Sequence, residues 1–312
     1  MECRVLQQNA RSAVLELVGE DRYETRAYEL WVNGRFLRED QKMVTIINGL
    51  KPDTSYQILF QWKDGDKAEV NIHTKPEYVT LNVKKFGARG DGKTDDTGSI
   101  QAAILCCPEY GRVFVPAGIY RIRNLFLKSN LVLDLGKGAV LQAFQGREDY
   151  PVLPGIIQSY DKKEDYNLGS WEGNPLDTMA SILTGISLEH VLICGEGTID
   201  GGGDFETWWV SNINRIPPYR PRVIFLNRCR NVVIQGITIQ NSPSWNIHPY
   251  FSENIRIYGI TLKSPDHSHN TDGIDPESCS NVEIAGVHFS VGDDCIATVS
   301  YTHLRAHETA AN

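Results

Sequence analysis

Asn231-Val232-Val233-Ile234-Gln235-Gly236-Ile237-Thr238 returns as Asn254-Ile255-Arg256-Ile257-Tyr258-Gly259-Ile260-Thr261 and again as Asn281-Val282-Glu283-Ile284-Ala285-Gly286-Val287-His288. The steps are 23 residues, from 231 to 254, and 27 residues, from 254 to 281. Looser copies start at Asn130 (Asn-Leu-Val-Leu-Asp-Leu-Gly) and His190 (His-Val-Leu-Ile-Cys-Gly-Glu-Gly). Short β-branched runs repeating at this period, with no helical pattern between them, predict a solenoid. A leucine-rich repeat would set Leu at fixed places, and a propeller would need about four strands in a longer period. Neither pattern is present. The reading is an all-β chain whose main body, residues 79–297, is a right-handed parallel β-helix.

A solenoid end exposes backbone and apolar surface and needs a cap. Asp95-Asp96-Thr97-Gly98-Ser99-Ile100-Gln101-Ala102-Ala103-Ile104-Leu105 has acids at its start and apolar residues three and four apart, which predicts a cap helix. Before the solenoid, residues 1–75 read as short strands between turns. Ala13-Val14-Leu15-Glu16-Leu17-Val18 is one, and Tyr28-Glu29-Leu30-Trp31-Val32 followed by Asn33-Gly34 is a strand with a hairpin turn. Leu50-Lys51-Pro52-Asp53-Thr54-Ser55-Tyr56 then leads into Gln57-Ile58-Leu59-Phe60-Gln61-Trp62. This stretch resembles a fibronectin type III module, which implies a small β-sandwich that packs or spaces and carries no chemistry. Thr74-Lys75-Pro76 is the expected linker.

Gly87-Ala88-Arg89-Gly90-Asp91-Gly92-Lys93-Thr94 matches the phosphate-loop pattern G-x-x-x-x-G-K-[ST] letter for letter. Its surroundings exclude that reading. Asp91 inside the loop and Asp95-Asp96 after it would repel phosphates, Asn82-Val83-Lys84-Lys85-Phe86 is a poor buried strand, and no alternating β/α pattern follows. The same stretch resembles the Phe-Gly-Ala-x-Gly-Asp-Gly-x-Thr-Asp-Asp segment that opens many pectin-degrading and phage β-helices.

The 312 residues carry a formal net charge of −8, which argues against a nucleic-acid or membrane-surface partner. An acidic substrate would then need local basic groups. No stretch is apolar enough to span a bilayer. Residues 1–9 show no basic start, apolar stretch or cleavage site. Seven scattered cysteines read as reduced thiols rather than a disulfide framework. The expected location is therefore cytoplasmic, or secreted or periplasmic if the gene model lacks its signal.

The chemistry gathers around Asn270-Thr271-Asp272 and Gly292-Asp293-Asp294. Counting back from the repeat asparagines, Trp245 lies nine before Asn254 and Asp272 nine before Asn281. The same count matches Ile247 with Ile274, His248 with Asp275 and Pro249 with Pro276, and it extends to Asp294-Cys295-Ile296-Ala297. Stacked strands lie about 4.8 Å apart, so Asp272 and Asp294 should be column neighbours, with Trp245 beyond Asp272. Ile247, Ile274 and Ile296 would form an interior stack. Strict alternation would put each Asp on the same side as the Ile two residues later, so the chain must bend there. If the bend also exposes Asp293, three acids share a groove and at least one pKa must rise. A raised acid protonates a leaving oxygen while an ionised neighbour activates water, with acid and base expected roughly 6.5–9.5 Å apart. Taken alone, Asp-Asp after Gly is better read as a polar turn or a cation site; Asp272 one coil away reverses that balance.

The segment resembles the polygalacturonases, glycoside hydrolase family 28. The residues that carry the resemblance are Asn270-Thr271-Asp272-Gly273-Ile274-Asp275-Pro276, Gly292-Asp293-Asp294-Cys295-Ile296-Ala297, Asn241-Ser242-Pro243-Ser244-Trp245-Asn246-Ile247-His248-Pro249 and Gly197-Thr198-Ile199-Asp200-Gly201. The resemblance implies hydrolysis of α-1,4-linked galacturonic acid in pectin or oligogalacturonides, with inversion and with neither metal nor cofactor. Carried over by position, Asp293 is the general acid, and Asp272 and Asp294 activate the water. Asn270, Asp275 and His248 would serve subsite binding or support from behind, and Trp245 would stack on a sugar ring or pack within the solenoid. Arg220, Arg222, Arg256 and Lys263 could offset substrate charge, although solvated surface residues are the plainer reading.

The family pattern continues with a Gly-His-Gly histidine and an Arg-x-Lys pair, and neither occurs here. Residues 298–312 hold no repeat asparagine and resemble translated adapter sequence, which suggests a truncated gene with a non-native tail. His303 and His307 are not read as substitutes for the missing histidine. Competing readings are a β-helical lyase, which needs a basic residue that the acidic column lacks, and a non-catalytic or degenerate carbohydrate-binding β-helix. The N-terminal module and the missing signal lean towards exo action on imported oligogalacturonides. Rhamnogalacturonan or xylogalacturonan hydrolysis stays open.

Overall fold

The computed structural model describes residues 1–19, 26–158, 165–210 and 217–300. The repeat becomes three stacked parallel sheets, to which each coil of the central stack gives one strand. The first sheet runs from Val79–Asn82 through Gly111–Val115, Leu131–Leu135, Glu189–Gly195, Arg230–Gln235 and Glu253–Tyr258 to Ser280–Ala285. The second runs from Asp91–Asp95 to His288–Ser290, again with seven strands. The third is built from Leu125–Phe126, Leu183–Ile186, Ile224–Asn227 and Ile247–Tyr250. Single bridges extend it, Ile247 to Ile274 to Ile296 and Tyr250 to Glu277 to Val299. The pairing of Val299 carries the β-helix two residues past the boundary read at residue 297; residues 301–312, with His303 and His307, lie outside the described residues.

The parallel register stacks like on like. Leu133, Ile193, Ile234, Ile257 and Ile284 form one interior column. Leu141, Ile199, Ile239, Leu262 and Phe289 form a second, and Leu125, Leu183, Ile224, Ile247 and Ile274 a third, continued in register by the exposed Ile296. Branched side chains suit this pleated, layered interior, and each fully buried one contributes roughly 1.5–3 kcal/mol. The repeat asparagines explain the period. Asn231, Asn254 and Asn281 all adopt left-handed backbone (φ 54°, 56° and 52°), a conformation that Asn tolerates at a tight corner. Their side-chain amides chain together, Asn281 donating to Asn254 at 3.1 Å and Asn254 to Asn231 at 3.2 Å.

Helix α1, Thr97–Cys106, covers the first coil with Ile100, Ala103 and Ile104, all inaccessible to solvent. Asp96, just before it, accepts the Arg89 N–H at 2.7 Å and the Gly90 N–H at 2.9 Å. Asp91 accepts those of Lys93 and Thr94. The loop that mimics a phosphate cradle has thus spent these amides on its own carboxylates.

The N-terminal residues form two antiparallel sheets. β1 (Glu2–Gln8), β2 (Ser12–Val18) and β5 (Val44–Asn48) make one; β3 (Tyr28–Val32), β4 (Arg35–Asp40), β6 (Ser55–Trp62) and β7 (Lys67–His73) make the other. Leu15, Leu30, Ile58 and Phe60 fill the space between them. The outer face of the first of these sheets lies on the β-helix. Val14, Val44 and Ile46 pack against Leu192, Cys194, Val233, Tyr258 and Ala285. Gly236 and Gly259 make room for β5, because a Cβ on Gly259 would sit 2.8 Å from Ile46 Cδ1. Arg11 grips Glu77 through both carboxylate oxygens, and Arg112 continues the chain of charges to Asp134 at 2.6 Å.

Candidate active site

Three turns at the start of successive third-sheet positions build the site. A bend falls at Asn246, Gly273 and Cys295, one residue before Ile247, Ile274 and Ile296. This is the departure from alternation that the column of acids requires. Gly273 is obligatory there, since a Cβ would meet Cys295 O at 2.4 Å and the Phe289 ring at 2.6 Å. The turns are laddered: the Asn246 N–H donates to Asp272 O, and the Gly273 N–H to Asp294 O, both at 2.8 Å. Thr271 Oγ1 accepts the Gly292 N–H at 3.1 Å and so joins the Asn270–Asp272 turn to the Asp293–Asp294 turn.

Asp272, Asp293 and Asp294 converge, with a carboxylate oxygen of each within 4.8 Å of the others. Asp272 is buried, and Asp293 and Asp294 are exposed. Burial, then the neighbouring Asp293, Asp294 and Glu172, push the Asp272 carboxyl up to about 7. The pKa rise expected of the cluster thus lands on the least exposed acid. The nearest oxygens are closer than the 6.5–9.5 Å expected between acid and base, so their spacing alone does not select inversion. The same three oxygens are also the one cluster among the described residues that could hold a cation.

Behind the acids lies a buried polar layer. Asp275 is inaccessible, neither of its oxygens has a hydrogen-bond partner among the described residues, and burial together with Asp272 pushes it up to about 9. His248 Nε2 lies 3.0 Å from Glu277 Oε2, and Ser170 Oγ lies 2.8 Å from each Glu277 oxygen. Burial pushes His248 down to about 4, so its Nε2–H donates as a neutral imidazole. Neither His248 nor Asp275 is open to solvent in this structure.

Trp245 is 4 % exposed, stacks on Trp171 with centroids 5.0 Å apart and meets the His248 ring edge-on. The packing alternative therefore holds for Trp245, and its faces are not free for a sugar. Arg220 and Arg222, read as solvated surface, are each 1 % exposed; Arg256 and Lys263 do face solvent. The Arg222 guanidinium lies 4.8 Å from the centroids of both Trp171 and Trp245 and donates to Ser170 O at 2.5 Å. Burial lowers it to about 9, opposed by Glu277 and Asp275. Arg220 donates to Asn270 Oδ1 at 2.6 Å, so one end of the Asn270 amide is already engaged. Sequence reasoning missed Ser170, Trp171, Glu172 and Glu277, because Ser170 reaches Glu277 across 107 residues and no repeat position marks it.

A stacked parallel solenoid that brings Asp272 and Asp294 from neighbouring coils together with Asp293 defines a β-helical protein with an acidic site. The chain belongs to glycoside hydrolase family 28: residues 161–310 match Glycosyl hydrolases family 28, and residues 80–161 match Rhamnogalacturonase A/epimerase, pectate lyase-like. It is 37 % identical over 228 residues to a probable polygalacturonase of Vitis vinifera, covering 71 % of this chain and 44 % of the relative. It is 26 % identical over 299 residues to the exo-poly-alpha-D-galacturonosidase of Dickeya chrysanthemi, covering 80 % and 48 %. The family 28 exopolygalacturonase of Yersinia enterocolitica superposes with a TM-score of 0.73 at 25 % identity, over 95 % of this chain and 64 % of that one. The chain spans about half the length of the curated relatives it matches.

Proposed function

We propose that the chain hydrolyses α-1,4-galacturonosidic bonds of pectin or oligogalacturonides by inverting acid/base chemistry. The observation that carries this reading is the convergence of Asp272, Asp293 and Asp294 within 4.8 Å. In it, Asp293 donates a proton to the leaving oxygen while Asp272 and Asp294 activate the attacking water.

Exo action is the finer part of the proposal. The Dickeya relative and the Yersinia structure both carry exo-acting names. The turn closed by Trp171 and Asn174 stands beside the acids, with Trp171 stacked on Trp245 and Glu172 acting electrostatically on Asp272. A wall there favours entry by a chain end. The N-terminal sandwich, in this reading, is a fibronectin type III-like packing module.

The test is hydrolysis of a defined oligogalacturonide. Asp293→Asn should lower kcat by about 10²–10⁴. Proton NMR of the first product should show the β anomer, and monomers or dimers should appear from the outset. A retained α anomer would overturn inversion, and an unsaturated product absorbing in the ultraviolet would indicate a lyase. Unchanged glycan binding without turnover would favour the binding-only reading. The match to Rhamnogalacturonase A/epimerase supports one second substrate, rhamnogalacturonan, to be run in parallel.

A further inference from the structure

Arg220 is 1 % exposed, yet it belongs to no interior column and forms none of the ion pairs found among the described residues. Its guanidinium spends its hydrogen bonds on the backbone around the acids. Nη1 donates to Pro243 O at 2.7 Å, His269 O at 2.9 Å and Trp208 O at 3.3 Å; Nη2 donates to Asn270 Oδ1 at 2.6 Å. These acceptors come from three separate segments, and two of them belong to His269 and to the left-handed residue Asn270 (φ 55°), two positions before Asp272. A planar, always-charged fork is suited to holding several carbonyls in fixed relation, and lysine is not.

We propose that Arg220 is a positioning residue that fixes the Asn270 turn and thereby aims Asp272 at the attacking water. The proposal rests on the hydrolase reading for its kinetic part. Removing the fork leaves three carbonyls and one amide oxygen without their donor, and it frees the turn to rotate. A displacement of about 1 Å at a reacting group costs on the order of 10²-fold in rate. Arg220 also counts Asp272 among the charges that favour its own ionised form, against burial and the nearby Arg147. The other charged groups acting on Asp272 are Asp293, Asp294 and Glu172, and Asp275 lies behind it; all are acidic.

The test compares Arg220→Met, Arg220→Lys, Asn270→Ala and the Arg220→Met/Asn270→Ala double variant on one oligogalacturonide. Arg220→Met should lose about 10²-fold in kcat with little change in KM, Arg220→Lys should recover only part, and the double variant should be no worse than Arg220→Met. Wild-type kcat in Arg220→Met, or losses that multiply in the double variant, would overturn the proposal. A readout free of turnover separates this from a failed hydrolase reading: carbon-detected NMR titration of the Asp272 carboxyl. Its midpoint should move up in Arg220→Met and stay nearer the wild type in Arg220→Lys. An unmoved midpoint in a folded Arg220→Met would also overturn it.

Discussion

His248 and Glu277 meet through Nε2 and Oε2 at 3.0 Å, and neither side chain reaches solvent. The pair lies one layer behind the acids and is closed from the far side by Ser170. An imidazole so enclosed stays neutral near physiological pH.

That neutrality has a stability consequence. The folded His248 is pushed down to about 4 from an ordinary value of 6.5. Between those values the unfolded chain binds a proton that the folded chain refuses, so this group makes stability fall as pH drops from 6.5 towards 4. His248→Gln, whose amide can still donate to Glu277, should lose less melting temperature over that window than the wild type. Parallel melting curves from pH 6.5 to 4.5 would show the burial reading to be wrong.

Asp275 runs the opposite way. Its folded carboxyl is pushed up to about 9 from 3.8, so through that window the folded chain keeps a proton that the unfolded chain releases. Stability from this group is full below 3.8 and declines as pH rises. Asp275→Asn removes the titration, and its melting advantage over the wild type should grow with pH, reaching about 5 °C near pH 7. Thermal scans at pH 4, 6 and 8 check this; a constant difference would contradict it.

Glu172 is exposed and is one of the charges that raise Asp272. Glu172→Gln should lower the Asp272 pKa and shift the acid limb of the pH–rate profile down by about 0.3 unit, a size suited to a solvent-screened charge. An upward shift would mean that the limb reports a different group.

Val14 is inaccessible between the sandwich and the β-helix, against Leu192, Val233 and Tyr258. Val14→Asp buries an unpaired carboxylate and should destabilise by about 3 kcal/mol. Urea unfolding should then split into two transitions as the module undocks. A single transition at the wild-type midpoint would show that the contact contributes nothing.

Much of the solenoid was legible because its signal is periodic. Asn231, Asn254 and Asn281 set steps of 23 and 27 residues, and the strand register repeats those steps through Arg230, Glu253 and Ser280. The alignment of Ile247, Ile274 and Ile296, and with it the column of Asp272 and Asp294, followed from the same count. What escaped was the layer that has no period. Arg220 and Arg222 are charged residues on a segment with no repeat mark; Arg222 is covered by Ser170 and Trp171, and Arg220 is enclosed by Trp208, Pro243, His269 and Asn270. Glu277 gained meaning only when Ser170 and His248 closed on it. Trp245 sat in the correct column, but Trp171, 74 positions earlier in the chain, had already taken its face.

In a solenoid each coil ordinarily touches only the next, so unwinding can begin at one end and stop anywhere. Here β5 lies across three successive corners, with Ile46 over Gly236 and Gly259 and Val44 over Gly286. One rigid strand is thus splinted along the stack, so peeling the coil that carries Asp272 and Asp275 away from its neighbours also means breaking a contact made by the opposite end of the polypeptide. The geometry of the acids is insured against fraying by residues that never approach them.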